Sequence, residues 1–379
     1  MRVVVVGAGI GGLATAVALR KIGVEPLVIE RAASIREVGA GLSLWSNAVN
    51  ALRELGLENH IMASASVIER NVAQTTKGRI IARTELNELS KIAGAPCICI
   101  HRGTLQKILL DALTSDSVRV GVRCTGFEGS TAILESGERI EADVLVGADG
   151  ISSVIREQLH GAEATRYAGC TCWRGIRDEI PCLLPDRSPL LVIGGGSQFG
   201  VCPCGPGKFY WFLTKNAPRG TSQSKAAAVA VCRDWAAPVP EIIAGTSEDA
   251  ILQNDIVDRP PIVSWGRGAV TLLGDAAHPT TPNLGQGACQ ALEDAVVLAH
   301  CLAEDHPVEA SLRKYEELRI PRTTQVVRDS WQTGKVLQLD SAPLEWLRNW
   351  FLGTKAAARA QERAFSSLLT YELPRLPQR

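Results

Sequence analysis

Four consecutive valines, Val3 to Val6, run without interruption into Gly7-Ala8-Gly9-Ile10-Gly11-Gly12. An apolar β-branched run that meets glycines at once reads as a buried parallel strand turning sharply into a helix. Residues 13–22 carry helical composition and Gly23 stops them. Leu27-Val28-Ile29 is the next strand, and it ends at Glu30, eighteen residues beyond Gly12. Gly7, Gly9 and Gly12 fit G-x-G-x-x-G, and an acid at that distance accepts hydrogen bonds from a ribose diol. The opening thirty residues therefore predict a βαβ unit that holds an adenosine dinucleotide on a helix N-terminus.

A second site of the same physical kind lies near residue 280. Ala269-Val270-Thr271-Leu272-Leu273 reads as a buried strand and leads into Gly274-Asp275-Ala276-Ala277-His278-Pro279, then Thr280-Thr281-Pro282-Asn283-Leu284-Gly285-Gln286-Gly287. Residues 288–303 are small or apolar throughout, which predicts a buried helix. Its N-terminus presents free N–H groups and the positive end of the dipole. Two such sites suggest one ligand held from both ends. Between them, Val144-Leu145-Val146 forms another strand that closes on Gly147-Ala148-Asp149-Gly150, and Ala132-Ile133-Leu134 before Ser136-Gly137 reads as a hairpin. Asn47 to Leu55 reads as helix, Cys97-Ile98-Cys99-Ile100 as strand, and Thr104 as the N-cap of a helix ending at Leu113. No period is evident from Gly56 to Gly94, where strands and loops are expected.

From Tyr167 the pattern changes. Aromatic residues sit in short strand-like pieces, as in Phe209-Tyr210-Trp211-Phe212, and prolines at 181, 185, 189, 203 and 206 punctuate them. The expected architecture is α/β: a Rossmann-like dinucleotide-binding domain from 1–165 and 262–330, with an antiparallel β-sheet substrate domain inserted at 166–261. Part of 66–96 is assigned to either unit, and a C-terminal helical region occupies 331–379. In that last region Glu345 to Leu352 is rich in tryptophan, which reads as a helix packing on the body, with a membrane-surface or dimer contact as the alternative; Arg319, Arg322 and Arg328 read as solvated or inter-helix charges.

Forty basic residues balance forty acidic ones, so nothing in the charge invites nucleic acid or an anionic membrane. No run approaches the ~18 apolar residues that span a bilayer. Eleven scattered cysteines without a secretion signal point to a reducing cytoplasm. Cys97/Cys99, Cys170/Cys172 and Cys202/Cys204 each put two thiols on one face of a strand, where buried packing is expected. The six histidines show no metal-ligand spacing.

The three glycine-rich sites, in this order, resemble the FAD-dependent aromatic hydroxylases, the single-component flavoprotein monooxygenases with a p-hydroxybenzoate-hydroxylase-like fold. Gly7 to Gly12 is similar to the family's ADP-binding motif, Gly147-Ala148-Asp149-Gly150 to its DG motif, and Gly274-Asp275 to its GD motif. Trp173-Arg174-Gly175 and residues 279–287 look most like the branch of zeaxanthin-epoxidase-like and urate-hydroxylase-like enzymes. The resemblance implies bound FAD, NAD(P)H as a transient donor, O2 as co-substrate, and oxygen transfer through a flavin C4a-hydroperoxide.

On that resemblance Gly7, Gly9, Gly11 and Gly12 carry the pyrophosphate, Glu30 the ribose, and Arg31 lies against the adenine. Arg36, Arg102 and Asp149 lie near the FAD, with ionic surface pairs as the other reading of the two arginines. Asp275 accepts a hydrogen bond from the ribityl chain, and Leu284, Gly285, Gln286 and Gly287 offer backbone N–H groups to the pyrimidine edge. A helix N-terminus there favours the anionic reduced flavin by about 0.3–2 kcal/mol. NAD(P)H has no second G-x-G-x-x-G and is expected to visit a surface groove. Substrate contacts are expected from Tyr210, Gln198 and Arg174, the last with a structural ion pair as its alternative. Gln198 stands where the urate-hydroxylase-like branch carries arginine, which weighs against urate. The implied reaction is hydroxylation of an aromatic or other electron-rich ring by a cytoplasmic monomer or homodimer. Epoxidation of an isoprenoid double bond is the alternative, and a non-enzymatic prenyl-protein escort the bland one.

Overall fold

The computed structural model describes residues 1–35, 40–178, 188–221 and 224–377. A five-stranded parallel sheet forms its centre, in the order Val270–Leu272, Val144–Gly147, Val3–Val6, Pro26–Glu30, Val118–Val120. Val3, Val4 and Val5 are fully buried, as a strand covered on both faces requires. The helices Ile10–Lys21 and Gly287–Ala303 cover this sheet and meet through small residues. A Cβ on Gly11 would lie 2.8 Å from Leu273 Cδ2 and 3.3 Å from Ala291 Cβ. That close approach brings the two helix N-termini to one region, although 277 residues separate Ile10 from Gly287.

The second sheet has seven strands, in the order Ile251–Asp258, Arg166–Asp178, Lys208–Asn216, Ser197–Pro203, Leu190–Gly194, Arg70–Thr75, Ile80–Glu85. The expectation of an antiparallel sheet needs one correction: Leu190–Gly194 pairs in parallel with Arg70–Thr75, through Leu190↔Val72 to Ile193↔Thr75. The chain first visits this sheet as the hairpin 70–85 and returns to it from 166. A sheet assembled in two visits has no reason to remain antiparallel at the join.

Two further local expectations change. The stretch 56–94 also forms two helices, Glu58–Ser64 and Leu86–Ala93. Thr104 lies inside the helix Arg102–Asp111, whose cap is His101, because the strand Ile98–His101 turns directly into it. Arg319 is 0% exposed on the 30-residue helix Val308–Leu337 and pairs with Glu293 and Asp294 of Gly287–Ala303, in keeping with the inter-helix reading. Glu345 to Leu352 does lie in a helix against the body, Ala342–Leu352, but its apolar side faces outward. Among the described residues no helix is long and apolar enough to cross a membrane.

Candidate active site

The first helix is fed by a turn that only glycine can make. Gly7 sits at φ +109°, and a Cβ there would lie 2.4 Å from Ala148 O. At Gly12 a Cβ would meet Gly7 O at 1.9 Å, so the turn closes on itself. Gly9 differs: nothing lies within 4 Å of where its Cβ would be, and its φ of −72° suits any residue. The absence of a side chain at Gly9 is not demanded by the protein's own packing. It leaves bare backbone in front of a helix whose first N–H groups have no intrahelical acceptor.

Glu30 stands beside this turn. Its Oε2 accepts from Ala8 N–H at 2.8 Å and its Oε1 from Ala32 N–H at 2.8 Å, which orients a carboxylate with lone pairs to spare. Arg31 is exposed beside it. Gln106 donates to Ala8 O at 2.8 Å and ties the third helix of this layer to the turn. Arg102, at the start of that helix, is exposed and its positive charge favours ionised Asp275. Arg36 lies outside the described residues.

Asp149 follows the central strand. Its Oδ2 accepts from Val154 N–H at 2.8 Å, while Oδ1 is buried with no partner among the described residues. Burial pushes its carboxyl up against the hydrogen bonds from Ser153 and Val154. An orphaned acceptor here is a vacancy a ligand hydroxyl or N–H could fill. Asp275 is exposed at the floor of a crowded cleft. Desolvation by the surrounding protein lifts its carboxyl, and His278 and Arg102 partly offset this.

Sequence reasoning did not identify the scaffold beneath these groups. Arg156, 3% exposed, donates to Ala276 O at 3.1 Å and Ala277 O at 2.9 Å, so the helix after Asp149 holds the turn after Asp275. Asp294 accepts from Gly274 N–H at 3.0 Å, contacts His278 Nε2 at 2.6 Å, and takes Arg319 Nε at 2.7 Å. Arg319 also donates to Glu293, which receives Arg322 through both oxygens and Asn47 at 2.6 Å. Burial alone would raise both carboxyls. Arg319 and Arg322 at Glu293, and His278 and Arg319 at Asp294, hold them below the usual carboxylate range. The i, i+1 pair Glu293-Asp294 in an otherwise apolar helix was the available signal, because two adjacent acids in a buried helix demand internal cations.

The loop 282–287 is held from its other side by the segment 41–47. Trp45 Nε1 donates to Leu284 O at 3.0 Å, and Asn47 Nδ2 to Gln286 Oε1 at 3.0 Å. Gln286 is fully buried and its side chain joins the Glu293 network, so only its backbone faces the ligand side. Gly285 takes φ +63°, where a Cβ would crowd Trp45 Nε1 at 2.9 Å. Gly287 then opens the buried helix.

Opposite this loop stands one face of the seven-stranded sheet. Register places Gln198 opposite Thr214 and Cys172, then Gly200 opposite Phe212 and Arg174, then Cys202 opposite Tyr210 and Ile176. The alternate face carries Trp173, Phe199, Trp211 and Leu213, which pack with Ile242 and Ile243 into a separate core. All three predicted substrate residues are thus on one face, but not in one cavity. Gln198 and Thr214 line a cavity with Thr281, Pro282, Asn283 and Trp331, whereas Arg174 and Tyr210 lie farther along the strands. Gln198 is committed to Gln338 at 2.7 Å. Tyr210 packs directly on the backbone at Gly41, where a Cβ would meet Tyr210 Cβ at 2.3 Å. Burial pushes its phenol up, so it is a neutral donor and acceptor rather than a phenolate base. Arg174 is half-buried with no carboxylate partner among the described residues; the ion-pair alternative has no support there.

The ten cysteines among the described residues are buried and unbridged. Cys99 Sγ approaches Cys202 Sγ at 3.0 Å, and burial raises the Cys170 and Cys204 thiols to about 12. They are packing groups in the thiol form.

Residues 1–330 match the family described as "FAD binding domain". The chain is 38% identical over 375 residues to the aurachin C monooxygenase/isomerase of Stigmatella aurantiaca, covering 97% of this chain and 98% of that one. It is 34% identical to an FAD-dependent urate hydroxylase of Mycolicibacterium vanbaalenii, covering 86% of each. Its fold superposes on the crystal structure of Klebsiella pneumoniae HpxO complexed with FAD and uric acid with a TM-score of 0.91 at 29% identity, over 98% of this chain and 97% of that one. A bare glycine turn at a helix N-terminus, an oriented acid after the second strand and an orphaned acceptor at Asp149 suit the donor set of FAD. The chain belongs to this FAD-binding family and is an FAD-dependent monooxygenase.

Proposed function

We propose that the enzyme inserts one oxygen atom into a planar aromatic or other electron-rich ring, with NAD(P)H as electron donor. The observation that carries this reading is the 41–47 segment, which packs Gly41 on Tyr210 of the sheet and holds Leu284 and Gln286 of the loop through Trp45 and Asn47. That loop ends at the Gly287 helix N-terminus, so the Tyr210 end of the sheet face and the cofactor cleft share one wall. An amide rather than a guanidinium at Gln198 weighs against urate, and the 38% identity to an aurachin C monooxygenase/isomerase supports a substrate other than urate.

Each residue then has a physical task. Gly7, Gly9, Gly11 and Gly12 leave the first helix N-terminus open to the FAD pyrophosphate. Glu30 holds the adenosine ribose, with Arg31 alongside. Arg102, Asp149 and Asp275 bind the middle of the cofactor, and backbone N–H groups of Leu284 to Gly287 meet the flavin ring edge. When bound, FAD supplies hydride acceptance and O2 activation. Tyr210 and Arg174 orient the substrate from the sheet, Tyr210 as a neutral hydrogen-bonding group. The buried Trp45 and the 41–47 segment shield the loop from water.

The reading is tested by following NADH and NADPH oxidation across phenols, aromatic acids, quinolones and carotenoids while peroxide is quantified. One compound should accelerate oxidation, suppress peroxide and gain one oxygen. Acceleration by carotenoids alone would transfer the assignment to the epoxidase alternative.

A further inference from the structure

The helix Ala342–Leu352 is inside out. Its inward face is polar: Glu345 accepts from Gly195 N–H at 2.6 Å, and Arg348 donates to Leu337 O at 3.1 Å and to Asn349 at 3.1 Å. Outward it presents Leu344 at 48% exposure, Trp346 at 64%, Leu347 at 50%, Trp350 at 59% and Phe351 at 52%. At 100° per residue these five span one side of the helix, and the polar groups span the other. A surface helix of a globular protein buries its apolar stripe; this one displays it.

Charge next to this face selects its occupant. Two residues on, the helix Lys355–Leu369 carries Lys355, Arg359 and Arg363 at i, i+4 and i+8, all exposed and none in an ion pair among the described residues. Its single acid is Glu362. Elsewhere on the surface arginines do pair, as Arg53 with Glu58 and Arg119 with Glu138. Tryptophans on an outward apolar face beside an unpaired basic stripe form the composition of an interfacial anchor. A second copy of this chain would meet the same stripe with its own positive charge.

The polar side of the helix lies near the sheet-and-loop region. Trp331, Gly334, Lys335 and Gln338 line the Gln198 cavity from the end of Val308–Leu337, and the apolar helix begins four residues after Gln338. Glu345 holds Gly195, two residues before the cavity strand that starts at Ser197. We propose that helix Ala342–Leu352 seats the enzyme on an anionic lipid surface, so that an apolar ring substrate reaches the active site from the bilayer. The substrate part rests on the ring-monooxygenase reading above; the lipid part does not.

The test is co-sedimentation of the FAD-loaded full chain with vesicles of phosphatidylcholine, with and without phosphatidylglycerol. Binding to the phosphatidylglycerol vesicles is expected, weakened roughly tenfold or more in W346S/W350S and in K355E/R359E/R363E. V263S, which removes an isolated exposed apolar residue, should bind as the parent does. Retained FAD colour checks that each variant is folded. Absence of binding by the parent, equal binding to pure phosphatidylcholine, or unchanged binding by W346S/W350S would overturn the proposal. So would concentration-dependent dimerisation, lost in W346S/W350S, in a protein that ignores vesicles. Because sedimentation needs no turnover, its failure is distinguishable from failure of the ring-monooxygenase reading.

Discussion

The cofactor side and the substrate side of this active site are built from different materials. The cofactor side is backbone: a left-handed glycine at Gly7, a self-closing turn at Gly12, and two helix N-termini brought together by small residues. The proposed substrate side is side chain: Gln198, Thr214, Arg174 and Tyr210 on alternate positions of three strands. Backbone sites tolerate little substitution because a single Cβ collides. A side-chain face can be rewritten residue by residue while the sheet stays intact, which is how one cofactor cradle serves different substrates.

The sharpest break of that comparison is within the cradle itself. Gly12→Ala forces a Cβ to within 1.9 Å of Gly7 O and should cost more than about 4 kcal/mol, yielding colourless or insoluble protein. Gly9→Ala meets nothing within 4 Å, so the apo protein should melt as the parent does while FAD affinity falls at least about tenfold, read by flavin fluorescence titration. Unchanged affinity in Gly9→Ala would mean that the ligand does not lie where the bare turn points.

Next in size is the support under the loop. Arg319→Leu strands Glu293 and Asp294 in the core and should cost about 3–5 kcal/mol in denaturant unfolding; adding Glu293→Gln and Asp294→Asn should restore part of it. The substrate side should respond more mildly and separately. Tyr210→Phe is expected to raise KM about tenfold and divert NAD(P)H to peroxide, with FAD content and melting temperature unchanged. Loss of FAD from Tyr210→Phe would blur the two regions into one.

The smallest effect is on pH. Glu293 and Asp294 titrate below their unfolded values, so the stability they confer is fully present above the ordinary carboxylate range. It disappears as pH falls through their lowered folded values. Asp149 is raised and acts oppositely, favouring the fold until pH rises through the window between its unfolded and folded values. Glu293→Gln should therefore flatten the acid limb of the stability curve and leave the neutral region with the larger loss. An unaltered acid limb would contradict the ion network.

What could be read from sequence divides along the same line. Gly7 to Gly12, Glu30, Asp149 and Gly274-Asp275 are local patterns, because chain direction and steric limits act over a few residues, and the parallel sheet followed from them. Arg156 holding Ala276 and Ala277, or Arg319 holding Asp294, are pairings across 120 and 25 residues that no local pattern encodes. Tyr210, Gln198 and Arg174 came from the family resemblance; their common face is set by strand register, and the separation of Gln198's cavity from Tyr210 by where the long helix lies on the sheet. Composition also missed the orientation of Ala342–Leu352: two tryptophans suggested burial, and burial went to Glu345 and Arg348 instead.

The measurement that tests the central claim most directly is turnover of the FAD-loaded enzyme under 18O2 with the compound that most accelerates NAD(P)H oxidation. The cradle and the facing sheet together predict a product carrying one 18O atom, formed in about one-to-one ratio with NAD(P)H consumed. Product without the label, or protein that takes up no FAD at all, would contradict the account.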